Sequence, residues 1–358
     1  MNYKFSFIDL WPYLIISMVF LLCIPYVKRN KSNSILIFYM LLVFTIFRYN
    51  VGWDYEMYVQ DIKYNNLDRY EILSKLIFSF TYHIGFYPAA FIIFGFLILF
   101  LTKKIIDQYS VNTLLSWAIF YSYPQFFFAS LSTLRQSLAG ALIFYSYKFC
   151  VEKKIVPFLI SIGLASMFHS SGLLGIILYP LVNMKSGKTL NIVLFASSFF
   201  ISEMVQNFVF PLIASQNFNE QVKFYIEMNS KAPTLLPIII YTICIFNIFF
   251  YKKLIDLNPA NKNYIFITTV GGALYNILLF EPNSALRISS FFLIFWVFIF
   301  PYYGFLINKK VYKLNSAILV LLWFAISYSF LTIYIINYGN KIIEKISFLP
   351  YKFWFNNL

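Results

Sequence analysis

Residues 87–104 read Tyr-Pro-Ala-Ala-Phe-Ile-Ile-Phe-Gly-Phe-Leu-Ile-Leu-Phe-Leu-Thr-Lys-Lys, an apolar run that two lysines close. A helix of about 20 mostly apolar residues spans a bilayer, where the backbone must satisfy its own hydrogen bonds. Such runs recur along the chain, and 60% of its 358 residues are hydrophobic while 12% are charged. Globular proteins carry about a quarter charged residues. The sequence therefore predicts an all-α polytopic membrane protein and excludes a soluble domain.

The apolar runs predict about 12 transmembrane helices in a single domain over residues 1–358, with short connections. The segment 71–86 is apolar but carries Lys75 and His83, so it is predicted to be a re-entrant or interfacial helix, with a true crossing as the alternative. The predicted spans are 11–27, 34–49, 87–104, 112–128, 133–150, 155–168, 171–184, 190–208, 235–251, 263–280, 286–307 and 314–337.

Clusters of lysine and arginine follow alternate spans, as cytoplasmic loops do in membrane proteins. This placement accounts for the net charge of +14 without nucleic-acid binding, and it predicts outward-facing termini and outward loops at about 48–86 and 209–234. The clusters are Lys28, Arg29 and Lys31; Lys103 and Lys104; Lys148, Lys153 and Lys154; Lys185 and Lys188; Lys252, Lys253 and Lys262; and Lys309, Lys310 and Lys313.

The remaining ionisable residues gather at the outward ends of the predicted spans. Charges near a bilayer are costly and usually face a bundle interior or a water-filled cavity. The grouping therefore predicts one polar site on the outer face. Its members are Arg48, Asp54, Arg135, His169, Glu203, Glu281 and Arg287.

Asp54 is the strongest candidate for an acid with a chemical role. It follows Gly52, which permits tight backbone geometry, and aromatic rings flank it. The alternative is a solvated loop acid that pairs with Arg48. The aromatic residues that offer a face to a sugar are Trp53, Tyr55 and Tyr58.

Arg135 and Arg287 are candidates for binding phosphate oxygens. The planar fork of an arginine suits such oxygens, and Arg135 begins a predicted helix, whose positive end assists. The alternative for both is an arginine that extends to the membrane interface. Two arginines on separate outward helix ends fit a diphosphate better than one does, with Arg48 as a third candidate and Gln136 and Glu281 as supporting residues.

His169 lies in Met167-Phe-His-Ser-Ser-Gly at a predicted outward helix turn. It is a candidate general base, and the alternative is a hydrogen-bonded structural group. With 2 histidines in the chain and no carboxylate at ligand spacing, no metal site is expected. The sequence has no glycine-rich phosphate loop, so no cofactor is expected either.

Taken in order, these motifs resemble the EpsG family of bacterial exopolysaccharide-synthesis membrane proteins, which is similar to the Wzy polymerases of O-antigen and capsule. The resemblance covers most of the chain. Weaker matches are Arg287 with Phe291-Phe and Pro301-Tyr, and the tail Leu349-Pro-Tyr-Lys. The stronger matches are Arg48-Tyr-Asn-Val-Gly-Trp-Asp-Tyr-Glu-Met-Tyr, Leu134-Arg-Gln-Ser-Leu-Ala and Ala165-Ser-Met-Phe-His-Ser-Ser-Gly.

The resemblance implies a fold similar to GT-C glycosyltransferases, which use polyprenyl-linked sugars on the outer side of the cytoplasmic membrane. An acid in an early outward loop is typical of those enzymes and matches Asp54. The chain departs from that pattern because two predicted spans precede the loop, whereas the acid often follows the first span or binds a metal.

The resulting hypothesis is a glycosyltransferase that joins polyprenyl-diphosphate-linked oligosaccharide repeat units in the bacterial cytoplasmic (inner) membrane. Asp54 or His169 takes the acceptor proton, and the arginines stabilise the diphosphate. Its partners are the lipid-linked donor and acceptor and the bilayer, with a chain-length regulator as a candidate and no nucleic acid. The alternatives are a flippase of lipid-linked oligosaccharide and a membrane acyltransferase with His169 as base.

Overall fold

The structure, a computed structural model, describes residues 11–23, 32–209, 235–307, 318, 321–322, 348 and 351–354. Almost all of the predicted outward loop 209–234 and most of the predicted span 314–337 lie outside the described residues. The chain divides into two compact units, one formed by Met1–Tyr179 with Phe300–Leu358 and the other by Pro180–Ile299. Each unit is described separately below.

The first unit is built from helices with one short pair of strands. Its elements are α1 (Trp11–Cys23), α2 (Ser32–Ile46), β1 (Arg48–Tyr49), α3 (Tyr55–Lys63), α4 (Ile72–His83), α5 (Pro88–Tyr109), α6 (Thr113–Ser122), α7 (Phe127–Ser132), α8 (Leu134–Val151), α9 (Ile155–Phe168), a 3₁₀ helix (Ser170–Ile177) and β2 (Lys352–Phe353).

The apolar run 87–104 forms most of α5, the longest helix among the described residues of this unit. Pro88 is its first residue, where a missing backbone N–H costs nothing because that group has no helical partner. The helix continues past the predicted end at residue 104 because Lys103 and Asp107 form an ion pair one turn apart. The Ser34 hydroxyl also donates to the Asp107 carboxylate at 2.5 Å, which ties α5 to α2.

Two sequence predictions about this unit need correction. The predicted span 112–128 is two helices, α6 and α7, because Pro124 lies between them and has no backbone N–H to continue the first. The predicted loop 48–70 contains the helix α3. By contrast, 71–86 forms the 12-residue α4, which at about 1.5 Å per residue is too short for a bilayer and fits the re-entrant or interfacial prediction.

The second unit holds most of the remaining helices. The predicted span 286–307 is divided into α15 and α16, which are bent by 65° at their junction. The predicted span 235–251 corresponds to α12, and the chain bends there by 71° into α13. The elements, including two that cross the unit boundaries, are α10 (Leu178–Asn183), α11 (Lys188–Met204), a π-helical turn (Val205–Val209), α12 (Leu235–Phe249), α13 (Tyr251–Leu257), α14 (Asn261–Ile277), α15 (Pro282–Leu293) and α16 (Trp296–Ile307).

The helices have the apolar composition of an integral membrane protein. Within the described residues, 2 helices are long and apolar enough to cross a membrane, Pro88–Tyr109 and Lys188–Asn207, and the number rises to 4 if each bent pair is one span. The shorter helices include α1, α2, α6 and α9, which are also apolar. The all-helical architecture is confirmed, whereas about 12 crossings and a GT-C arrangement stay predictions.

The described end of the chain packs on the segment that follows α2. Strand β2 pairs antiparallel with β1, with Arg48 opposite Phe353 and Tyr49 opposite Lys352. Beside them the Trp354 N–H donates to the carbonyl of Phe47 at 3.0 Å. The β1 strand is thereby fixed at the start of the loop 48–54.

Candidate functional site

The loop that begins at Arg48 is anchored by the arginine itself. Its side chain is 2% exposed. Nη1 donates to the carbonyl of Thr45 at 2.9 Å and Nη2 to that of Leu131 at 3.3 Å, while the guanidinium lies 5.2 Å from the centroid of the Phe91 ring. The arginine therefore joins the end of α2 to the end of α7. This geometry favours a positioning role for Arg48 over the predicted contact with diphosphate.

Gly52 brings the same loop against the backbone of α7. Its φ is +114°, which favours glycine, and a Cβ there would lie 2.1 Å from the carbonyl oxygen of Leu131. The next residue, Trp53, donates its N–H to the Ser132 hydroxyl at 2.9 Å. Only a glycine allows the loop to approach this closely, so the sequence Val-Gly-Trp fixes where Asp54 stands.

Asp54 is half-buried and directly precedes α3, where its carbonyl accepts the Tyr58 N–H at 3.0 Å. Trp53 is 45% exposed beside it. The structure thus holds the predicted acid and one predicted sugar-contacting ring at the loop that docks on Leu131 and Ser132.

Tyr55 and Tyr58 are part of the core instead. They are 4% and 2% exposed. Tyr55 stacks on Phe91 with 4.3 Å between ring centroids, and Tyr58 packs on Phe78 at 5.4 Å. Burial leaves neither ring a face for a sugar, so that prediction is kept for Trp53 alone. The helical spacing of Tyr55, Tyr58, Val59 and Ile62 is the signal of a buried face that was missed.

Arg135, at the start of α8, forms an ion pair with Glu71, the residue before α4. Its Nη1 donates to Oε2 of Glu71, while Oε1 of the same carboxylate accepts the Ser170 N–H at 2.9 Å. The side chains of Arg135 and Glu71 are 18% and 23% exposed. One carboxylate therefore connects the predicted arginine to the turn that carries His169. Glu71 was not predicted as a site residue.

The Nδ1 nitrogen of His169 is hydrogen-bonded within its own turn. Nδ1 lies 2.7 Å from the Ser171 hydroxyl and accepts the Ser171 N–H at 3.3 Å. A nitrogen that accepts from an N–H is unprotonated, so the neutral ring bears its proton on Nε2. His169 then presents a hydrogen-bond donor to its surroundings. This arrangement favours a donor role over the predicted role as general base.

The Tyr70 ring contacts the Arg135 guanidinium and is itself held by a hydrogen bond to Asp61. The guanidinium carbon lies 4.6 Å from the centroid of the Tyr70 ring, a cation–π contact. The Tyr70 hydroxyl donates to Asp61, a carboxylate that also accepts from Arg69. Asp61 is only 7% exposed, so its two donors compensate the burial of its charge.

Glu71 is ionised at neutral pH. Burial raises its pKa, but the hydrogen bond from the Ser170 N–H and the positive charge of Arg135 outweigh this effect and hold the pKa below its ordinary value of 4.5. The site therefore contains a fixed negative charge beside a fixed positive one.

Three other predicted residues occupy different surroundings. Gln136 is 7% exposed on α8, next to Arg135. Glu281 and Arg287 belong to the second unit. Glu281 caps α15, since its carboxylate accepts the N–H groups of Asn283 at 3.2 Å and Ser284 at 2.5 Å. Arg287 is half-buried on that helix. The geometry gives Glu281 a structural role as a helix cap.

The first unit thus brings together the segments 48–54, 131–136 and 168–171, which are far apart in the sequence. Among the described residues, no three His, Cys, Asp or Glu side chains are grouped so that they could hold a metal ion. What the cluster offers is an ionised acid, an arginine with an oriented fork, a histidine N–H and an exposed tryptophan ring.

Comparison with known proteins gives one match. The model of the EpsG family matches residues 31–353, a range that includes every segment of the site described above. No curated protein and no solved structure matches the chain.

Proposed function

Because this chain belongs to the EpsG family, we propose that it joins polyprenyl-diphosphate-linked oligosaccharide repeat units on the outer face of the bacterial cytoplasmic membrane. The family and the apolar helices support the coarser part of this proposal, an integral membrane protein of exopolysaccharide synthesis. The polymerase reaction, the lipid-linked substrate and the roles of single residues are inferred from the site.

The observation that carries the proposal is the convergence of three motif segments on the junction of α7 and α8. The loop with Asp54 docks on Leu131 and Ser132. Arg135 follows three residues later and is joined through Glu71 to the turn with His169. An acid, a donor set for an anion and an exposed ring at one place are what glycosyl transfer from a diphosphate requires.

In the proposed reaction, a hydroxyl of the acceptor unit attacks the anomeric carbon of the donor. The bond between that carbon and the diphosphate oxygen breaks, and polyprenyl diphosphate leaves. The carboxylate of Asp54 takes the hydroxyl proton. Arg135 and the Nε2–H of His169 stabilise the negative charge that grows on the leaving group. Trp53 packs on a sugar ring.

Two alternatives fit less of the site. An acyltransferase with His169 as its base gives no role to Arg135, and Nδ1 of that histidine already accepts the Ser171 N–H. A flippase would use the arginines to hold the diphosphate but gives no role to Asp54 beside the exposed Trp53 ring. The experiment below separates polymerase from flippase.

The test replaces Asp54 with Asn in cells that lack the native gene. The amide keeps the shape and removes the basicity, so chain extension should fall by about 100- to 10,000-fold. Polysaccharide ladders and lipid-linked repeat units are measured together, and Glu56→Gln in the first turn of α3 is the matched control. We expect single repeat units to accumulate with Asp54→Asn and a normal ladder with Glu56→Gln.

The side of the membrane on which the units accumulate decides between the classes. A polymerase leaves single repeat units on the outer face, where an impermeant glycosidase removes them. A flippase defect leaves them inside and protected. A wild-type ladder from Asp54→Asn cells would refute the assignment of Asp54 as base.

A further inference from the structure

We propose that Glu71 is a positioning residue of the polymerase site, holding the Arg135 guanidinium and the His169 turn in one geometry toward the leaving diphosphate. The inference rests on the proposed function. It adds a residue that none of the sequence motifs contained.

The two oxygens of the Glu71 carboxylate serve different elements. Oε2 accepts from Arg135, 64 residues along the chain, and Oε1 accepts the Ser170 N–H, 99 residues along the chain. A single side chain therefore fixes the distance between the start of α8 and the turn after α9.

The residues around Glu71 hold it in place on both sides. On one side the preceding residue, Tyr70, lies under the Arg135 guanidinium and donates its hydroxyl to Asp61. On the other side the Ser74 hydroxyl, one turn into α4, donates to the carbonyl of Phe168 at 2.8 Å. The start of α4 is thus attached both to the arginine and to the residue before His169.

The charge of Glu71 has the wrong sign for direct contact with a diphosphate. A carboxylate beside an anion site weakens anion binding by repulsion unless it also orients the cation that binds the anion. Simple electrostatics therefore predicts that removing the charge strengthens binding, and the positioning role predicts that it weakens binding. The two explanations differ in the sign of one measurement.

The experiment measures the affinity of the purified full chain in lipid nanodiscs for polyprenyl diphosphate without a sugar. Glu71→Gln should weaken binding by about tenfold, the size expected for one coupled contact. Glu71→Asp keeps the charge but reaches only one of the two partners. Its affinity should therefore lie between that of the wild type and that of Glu71→Gln. The matched control is Asp68→Asn, an exposed acid nearby that pairs with Lys75 and should change binding by less than about twofold.

A double-mutant cycle tests whether Glu71 acts through Arg135. In the Arg135→Ala background, Glu71→Gln should have no further effect on affinity. Unchanged or tighter binding by Glu71→Gln in the otherwise native chain overturns the inference and leaves the proposed function standing. If Glu71→Gln does not fold, a wild-type affinity in Glu71→Asp overturns it instead. A wild-type chain that binds no polyprenyl diphosphate refutes the proposed function, and the inference with it.

Discussion

The two compact units treat their buried polar groups differently. The first buries charge: Arg48 is 2% and Asp61 7% exposed, and the pair of Arg135 with Glu71 is largely covered. The second uses neutral groups around Asn276, whose Nδ2 donates to the Ser198 hydroxyl at 3.0 Å and whose Oδ1 accepts from Tyr241.

This difference is consistent with the proposed location of the site in the first unit. Burying a charge is expensive even when it is paired, whereas neutral hydrogen bonds hold helices together at lower cost. A helical membrane protein therefore has little reason to bury ion pairs for stability alone. The first unit bears this cost at the segments that we assign to catalysis, and the second unit is held by neutral contacts. Arg287 is half-buried in the second unit, so its substitution gives the most direct test of this comparison.

The largest expected effect comes from Arg135→Lys compared with Arg287→Lys. Lysine keeps the charge and loses the planar fork. At Arg135 the fork is held by Glu71 and Tyr70, so chain extension should fall by about 100-fold, the size of a lost transition-state donor. At Arg287 a loss of less than about twofold is expected, because no ion pair among the described residues orients its guanidinium.

Polysaccharide ladders normalised to protein level measure both variants. Equal losses of chain extension in Arg135→Lys and Arg287→Lys would contradict the proposed difference between the units. Normal polymer from both Arg135→Ala and Arg287→Ala would show that these arginines only extend to the membrane interface.

A smaller effect, on stability, is expected for Gly52→Ala compared with Gly272→Ala. At Gly52 the new Cβ meets a backbone oxygen at 2.1 Å and φ is +114°, so we expect a loss of about 3 kcal/mol. At Gly272 in the second unit the Cβ meets the Cys244 Sγ at 2.7 Å, a side chain that can shift, and the loss should be about 1 kcal/mol.

Unfolding in detergent measures both glycine variants. Gly163→Ala in α9 is the control, since its Cβ meets nothing within 4 Å and alanine favours the helix by about 0.5–1 kcal/mol. A Gly52→Ala chain as stable as the wild type would contradict the close approach of the loop to α7.

The smallest effect is expected for Asn276→Ala. The substitution removes the acceptor of Tyr241 and the donor to Ser198, and hydrogen bonds between membrane helices contribute about 0.6 kcal/mol each on average. Stability should fall by about 1 kcal/mol, while polymer formed per folded molecule should stay at the wild-type level. A loss of activity per folded molecule would mean that the second unit also takes part in the chemistry.

The fold class was predictable because apolar composition and length restrict a chain in a bilayer to helices. The breaks within spans were less so: Pro124 explains one of them, but no proline lies at the junction of α12 with α13 or of α15 with α16. Apolar composition and periodicity alone do not report these two bends.

Within the site, Arg135 and His169 were predicted because their motifs stand out in apolar surroundings. Glu71 was missed because its partners lie 64 and 99 residues away and its own neighbours give no motif. Tyr55 and Tyr58 were predicted to contact a sugar. Aromatic residues beside an acid occur both on sugar-binding faces and in buried cores. Only packing separates these two cases.

The pairing of β1 with β2 has a consequence for how the protein is made. The Tyr351 hydroxyl donates to the carbonyl of Phe44, 307 residues earlier in the chain. Ribosomes add about 5–20 residues per second, so roughly 15–60 s separate the synthesis of Phe44 from that of Tyr351. A chain whose translation stops before β2 therefore lacks the strand that pairs with Arg48 and Tyr49.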